Sequence, residues 1–413
     1  MNTQVLQHPS PAAPPAGTSK ELWLITLGHA LTHWYPATFF LLLPIIGQEL
    51  GLSFSQIGLI MTCQYIAGAV ANVPGGVLVD TVGRKGLLMG VSLFWVGFPY
   101  LLMGFTHSYL MLLGCVMLVG VGNSLWHPTA IPTLAQRFPA RKGFVLSLHG
   151  MGGNVGDALA PLAVGALLAV FTWREVVALN VLPGLVMSVL ILAMLGTLSL
   201  GARARKTDAS GGQGQSWADY RQGLRDLMRN RSLVLLSTSG AFRSMTQNAL
   251  LTFLPLYLAR ELGYSTMAVG LALFLLQAAG FAASPVAGHL SDRVGRRSVL
   301  TGTMVMVAVV LVAMAFAGRS AFFVLLVAAL GFFLYAIRPV IQAWTLEVTP
   351  RHMGGSSIGI LFGAQSLGSS VAPLVGGLIA DRWGLPATFH FLAATIVCAS
   401  VLVLWTPREE GDR

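Results

Sequence analysis

A few ionisable and amide side chains stand inside otherwise apolar runs, and their spacing follows the helical period. In GHALTHWYPATFFLLLP, His29 and His33 lie four apart and share a face, with Tyr35 beside them. Asn123 and His127 repeat that spacing, and HGMGGNVGDALAPLAVG sets His149, Asn154 and Asp157 on one broad side. Further along, Arg243 and Gln247 share a face, while Tyr335, Arg338 and Gln342 fall at i, i+3 and i+7. Such groups cost free energy in hydrocarbon and are kept where they line a water-filled cavity or find a partner. An imidazole or a carboxylate placed there can exchange protons, and a guanidinium can hold an anion.

The charges do not balance. Two fixed cations, Arg243 and Arg338, stand against one acid, Asp157, so the expected ligand is a small molecule with a phosphonate, phosphate or carboxylate group. His33, Tyr35, Asn123, His127, Arg243, Gln247, Tyr335, Arg338 and Gln342 are the expected substrate contacts. Proton coupling falls first to Asp157, whose hold on a proton changes if Arg243 pairs with it across the cavity, and then to His127 and His149. His29 is expected to be a packing residue. Trp34, Trp126, Tyr335 and Trp344 are candidates to flank an apolar part of the ligand.

These residues need a scaffold that carries them through a membrane. Hydrophobic residues make up 55% of the 413 and charged residues 10%, with a mean hydropathy of +0.72, which excludes a water-soluble domain of this size. About 20 apolar residues cross a bilayer as a helix. Such runs fall at 22–46, 56–79, 86–105, 108–134, 143–170 and 174–199, then at 232–258, 266–289, 297–317, 320–346, 355–381 and 384–406. The pattern predicts an all-α membrane protein of twelve transmembrane helices in two six-helix halves, 21–199 and 232–406. Residues 1–20 and 407–413 read as cytoplasmic tails, the first a disordered segment and not a cleaved signal. The 200–231 linker holds the amphipathic stretch WADYRQGLRDLMRN, expected along the lipid surface with its arginines toward phosphate.

An internal repeat supports the two halves. GGVLVDTVGRKG at 75–86 returns as AGHLSDRVGRRS at 287–298, and Asp292 stands 212 after Asp80, as Gly288 does after Gly76. APLAVG at 160–165 and APLVGG at 372–377 keep the same offset. His127-Pro128 and Arg338-Pro339 occupy matching places 211 apart, so one copy offers an imidazole where the other offers a permanent cation. Gly76, Asp80, Gly83, Arg84 and Lys85 match Gly288, Asp292, Gly295, Arg296 and Arg297. Each set makes a tight turn whose Asp can latch to a helix terminus or to an Arg across the interface, and so separate two conformations.

The net charge of +10 invites a nucleic-acid partner, but the basic residues crowd into one set of alternate loops. That asymmetry instead places both termini and the linker in the cytoplasm. Cys63, Cys115 and Cys398 lie in apolar runs without metal-ligand spacing, so neither a disulfide nor a metal is expected, and no cofactor motif is found. An enzyme is disfavoured as well: GMGGNVG lies within a membrane helix and not after a strand. A receptor or scaffold would need a larger soluble part than the linker supplies.

The paired Gly-Asp-Gly-basic turns resemble the loop 2–3 signature of the major facilitator superfamily and its loop 8–9 counterpart. NSLWHPTAIPTLAQRF at 123–138, followed by HGMGGNVGDALAPL at 149–162, resembles the fourth and fifth helices of the fosmidomycin-resistance-type transporters within it. The resemblance implies export of a phosphonate-like or otherwise toxic compound in exchange for protons, from a bacterial-type inner membrane. Proton-coupled uptake of an organic anion is the alternative. The fifth helix departs from the antiporter signature, since Ala160 precedes Pro161 and Val164-Gly165 replaces a glycine pair; helix eleven carries the fuller ending, Gly376-Gly377. Alternating access about a central site follows, and one chain suffices as a monomer.

Overall fold

Six of the apolar passes begin where a side chain holds the first free backbone N–H groups of a helix. Thr18 with Glu21, Ser53 with Gln56 and Thr172 with Glu175 form reciprocal capping boxes, and Ser108, Asn230 and Ser265 cap with a side-chain oxygen alone. The computed structural model describes residues 17–198, 217–318, 320, 322–350 and 353–407. The tail expected at the N-terminus, up to residue 16, and most of the linker lie outside them.

The first half comprises α1 (Ser19–Glu49), α2 (Phe54–Thr81), α3 (Lys85–Met103), α4 (Tyr109–Asn123), α5 (Trp126–Arg137), α6 (Lys142–Leu167) and α7 (Trp173–Leu195). After α8 (Trp217–Arg229) come α9 (Arg231–Leu256), α10 (Thr266–Val294), α11 (Arg296–Ala317), α12 (Phe322–Glu347), α13 (Gly354–Trp383) and α14 (Pro386–Trp405). With α4 and α5 counted as one pass, these give the twelve expected passes in two sets of six. Among the described residues, ten passes are long and apolar enough to cross a membrane by composition; α6 and α9 are not among them. Those two carry His149, Asn154 and Asp157, and Arg243, Gln247 and Asn248. Their polarity is tolerable because they face other helices and a cavity instead of lipid.

The fourth pass was expected to be one helix over 108–134, and it is broken at Ser124 and Leu125. Pro128 accounts for the break: its ring would strike the carbonyl of Ser124 in a continuous helix, and it has no N–H to donate. Broken there, Pro128 lies in the first turn of α5, where the missing donor is not needed. The matching Pro339 leaves α12 continuous.

The halves meet at one end. A Cβ built on Gly58 of α2 would stand 2.1 Å from the Pro373 carbonyl oxygen of α13, and one on Gly270 of α10 would stand 2.3 Å from that of Pro161 of α6. Only glycine lets these backbones approach so closely. Asp381 at the end of α13 completes the closure, accepting hydrogen bonds from the backbone N–H groups of Phe54 (2.8 Å) and Ser55 (2.9 Å) at the start of α2. At the opposite end, Glu21 with Arg137 and Asn230 with the Val348 carbonyl are bonds within one half.

In the second repeated turn the side-chain bonds of Arg296 and Arg297 stay inside their own half. Arg296 pairs with Asp292 at 2.5 Å and with Glu347 of α12 at 2.9 Å, and Arg297 donates to the Leu404 carbonyl, all inside the second half. In the first copy, the Lys85 ammonium donates to the carbonyls of Val79 and Val82, Arg84 is exposed, and the Asp80 side chain lies outside the described residues. Gly295 adopts φ +90°, which favours glycine, whereas Gly83 does not share a positive φ, so the two turns differ in backbone despite matching in sequence. Gly76 and Gly288 are open, with nothing within 4 Å of an added Cβ.

Candidate functional site

The site begins with a glycine face. On α6, an added Cβ would stand 2.5 Å from the Thr26 carbonyl oxygen at Gly152 and 2.0 Å from that of Ala30 at Gly156. Helix α1 therefore lies directly on α6. Between those two positions, Gly153 would meet His29 Cε1 at 2.8 Å and His33 Nε2 at 3.0 Å. The bare backbone is what brings both imidazoles of α1 over the polar side of α6, and Trp126 of α5 packs fully buried on Gly28 from the other flank.

Four histidines and one carboxylate meet there. His29 Nδ1 lies 2.6 Å from the His149 carbonyl oxygen, which can only accept, so Nδ1 carries the proton. In neutral His29 the other nitrogen, Nε2, is then an acceptor, and His127 Nε2, 3.0 Å away, is the donor. His33 Nδ1 donates to Asp157 Oδ2 at 2.9 Å. The His29 and His149 rings stack with centroids 3.9 Å apart, and His29 meets His33 and His127 edge-on at 4.7 and 4.9 Å. His29 is thus the hub of the cluster and not a packing residue; its i,i+4 relation to His33 was the signal for this.

Two cavities flank the cluster and share His33 and His127. The smaller, about 410 Å³, is bounded by Gln64, Tyr65, Asn72, Asn123, Asp157 and Asn248. The larger, about 700 Å³, holds His149, Asn154, Tyr335, Arg338 and Gln342, and extends past Ser147 and Pro285 toward the end away from Asp381. The His33 and Asp157 side chains are 32% and 29% exposed, enough to meet water and a ligand. Tyr65 donates to Asn248 Oδ1 across the halves at 2.7 Å, and Asn248 Nδ2 donates to Ser369 Oγ at 2.8 Å. This bridge was not foreseen, since neither residue repeats in the other half.

The expected residues divide. His33, Asn123, His127, Asp157, His149, Tyr335, Arg338 and Gln342 line the cavities. Arg243 is 3% exposed, with no hydrogen-bond partner for Nε or Nη2, and Gln247 lies part-buried on the same helix beside Tyr335. Tyr35 turns away: it is fully buried against Tyr100, Gly97 and Gly184, its hydroxyl donating to the Val181 carbonyl at 3.4 Å. Trp126 and Trp344 are likewise buried in packing, and the Trp34 indole donates to Asn180 Oδ1. Asp157 bonds His33, and among the described residues no hydrogen bond joins it to either arginine. The expected Asp157–Arg243 pair is absent in this conformation.

Twelve passes around a polar central cavity define a multi-pass membrane transporter. The pattern of the Major Facilitator Superfamily matches residues 22–274 and 236–413, and the chain belongs to that family. It is 26% identical over 418 residues to the Fosmidomycin resistance protein of Escherichia coli (strain K12), covering 97% of this chain and 98% of that one. It is 24% identical to the Phosphoglycerate transporter protein of Salmonella typhimurium, covering 91% of this chain and 85% of that one. Its fold is shared with a bacterial homologue of the human lysosomal transporter Spinster in an inward-facing and occupied conformation. That likeness has a TM-score of 0.79 at 16% identity, with 94% of this chain and 96% of the other covered. The family and these relatives make it a transporter of small molecules and not an enzyme.

Proposed function

We propose that this protein exports a small organic anion across a bacterial inner membrane in exchange for protons, with both termini in the cytoplasm. The observation that carries the reading is the surplus of positive charge at the cavity. Arg338 faces it, Arg243 is buried with two unbonded guanidinium nitrogens, and the nearby carboxylate, Asp157, is already taken by His33. A bound phosphonate, phosphate or carboxylate would give both guanidinium groups the partner they lack. Phosphoglycerate, in the name of one relative, is an anion of that kind, and resistance in the name of another supports efflux.

The proposed exchange would use that geometry. In this conformation the cavity opens at the end proposed to be cytoplasmic, where an anion can settle between Arg338, Tyr335 and Gln342, with Arg243 behind. Anion and proton are coupled through the site, because the charge of an anion bound near the His33–Asp157 pair alters how that pair holds a proton. Rocking of the halves would part α2 from α13 and α6 from α10, releasing the anion outside and admitting a proton to the cluster. The Arg296 clamp holds α10, α11 and α12 as one body while that happens. On the cytoplasmic surface α8 is proposed to lie against lipid, with Leu227 tucked onto Leu233 and Met353. One chain supplies the whole route, so a monomer is the proposed unit.

The test is transport in proteoliposomes with the pH gradient set each way, preceded by a thermal-shift screen against phosphonates, carboxylates and cationic dyes. Stabilisation by anions that is lost in Arg338→Ala is expected. Stabilisation by cations alone would overturn the anion reading. Asp157→Asn transporting at the wild-type rate with unchanged proton dependence would remove Asp157 from coupling.

A further inference from the structure

We propose that His29, His33 and His127 form a binding site for a divalent ion of the zinc class, in addition to any role in moving protons. One ligand nitrogen from each of the three imidazoles can be chosen so that all lie within 4.8 Å of one another. His29 Nε2 and His127 Nε2 are already 3.0 Å apart. A tetrahedral zinc ion with Zn–N bonds near 2.0–2.1 Å places its ligand nitrogens about 3.3 Å apart, so that pair needs almost no movement. His33 needs a shift of at most roughly 1.5 Å by the same standard, and its side chain is 32% exposed at the smaller cavity.

The groups around the ring nitrogens carry the argument further. A metal-ligating histidine nearly always donates its other N–H to a carboxylate or a backbone carbonyl, which sets the tautomer and aims the lone pair. Both arrangements are present before any ion arrives. His33 Nδ1 donates to Asp157, and His29 Nδ1 donates to the His149 carbonyl. Each bond leaves Nε2 as the free lone pair. Three nitrogens leave a fourth position open toward the shared cavity, where water or an anion completes the shell.

The charges facing the site set the terms of binding. Asp157 in the smaller cavity favours a cation, Arg338 in the larger one opposes it, and the His149 ring stacks on His29 without supplying a nitrogen. Neutral His127 ligates through Nε2 by carrying its proton on Nδ1 instead, and an imidazolium offers no lone pair, so protonation of the cluster opposes the ion. It would also tie α1 to α5 and hold the cluster still. The site stands on the three imidazoles alone and does not depend on the substrate or direction proposed above.

The full chain, purified in detergent without a histidine tag and stripped with chelator, is titrated with zinc against a metallochromic indicator and separately with cobalt by visible absorption. One ion per chain and a four-coordinate cobalt spectrum are expected. His127→Ala should weaken binding at least about 100-fold, and Asp157→Asn, which removes only the charge of the orienting partner, about 10–100-fold with the stoichiometry kept. His289→Ala, at an exposed position, should leave binding unchanged. Should His127→Ala not elute as a single species, His127→Gln with Asp157→Asn carries the comparison. Zinc held equally well by these variants, or no four-coordinate cobalt spectrum from the wild-type chain, would overturn the site.

Discussion

Replacing Asp381 by alanine should open the end of the molecule at which the halves now meet. Asp381 receives two backbone N–H groups of α2, at 2.8 and 2.9 Å, and faces the positive end of that helix. A hydrogen bond to a charged group contributes about 1.5–3 kcal/mol when shielded. Asp381 is exposed, so solvent screening brings the combined contribution to about 1–2 kcal/mol. At about 1.4 kcal/mol per tenfold change, the variant should shift the closed-to-open ratio at this end by about tenfold. Spin labels at Val170→Cys and Trp383→Cys report it, since both positions are exposed, lie at the closed end and belong to different halves. Cys63, Cys115 and Cys398 are free and would first be replaced by alanine. Pulsed-resonance distances should gain a longer population in Asp381→Ala. An unchanged distribution would mean that glycine packing at Gly58 and Gly270 holds this end unaided, and the contribution assigned to Asp381 would be wrong.

Three further outcomes follow from contacts already described. Arg243→Met removes a buried, partly unbonded charge, so it should raise the melting temperature of the empty protein while lowering anion affinity by tenfold or more, both read by thermal shift with and without ligand. Tyr35→Phe should leave transport within about twofold of wild type, because the hydroxyl makes one long bond on the side away from the cavity; a large loss would return Tyr35 to the site. Gly153→Ala should push α1 off α6, since the new methyl meets both His29 and His33, and a destabilisation of about 1–3 kcal/mol with loss of transport is the expected result.

Much of the fold could be read from the chain because lipid imposes one-dimensional rules. A pass needs a certain length of apolar residues, and a duplicated unit leaves the same glycines and charges 212 positions apart. The candidate site was partly legible for a related reason: a polar group inside a span is conspicuous, as His33, His127, Asp157 and Arg338 all are. His29 was misjudged because a histidine by itself carries no sign of its neighbours. Tyr35 was misjudged because a period of 3.6 gives a shared face but not which helix that face meets.

The sequence by itself determined that the chain crosses a membrane twelve times in two related halves, and that a few ionisable side chains stand at mid-depth. Hydropathy, spacing and repetition are local properties that no folding is needed to reveal. Only the tertiary structure decided that four imidazoles from α1, α5 and α6 converge, that Asp157 bonds His33 and not an arginine, and that Asp381 bonds the start of α2 in the other half. Those choices depend on how closely backbones approach where Gly58, Gly153 and Gly156 remove a side chain. Close approach is a property of two helices at once, and neither helix encodes it alone.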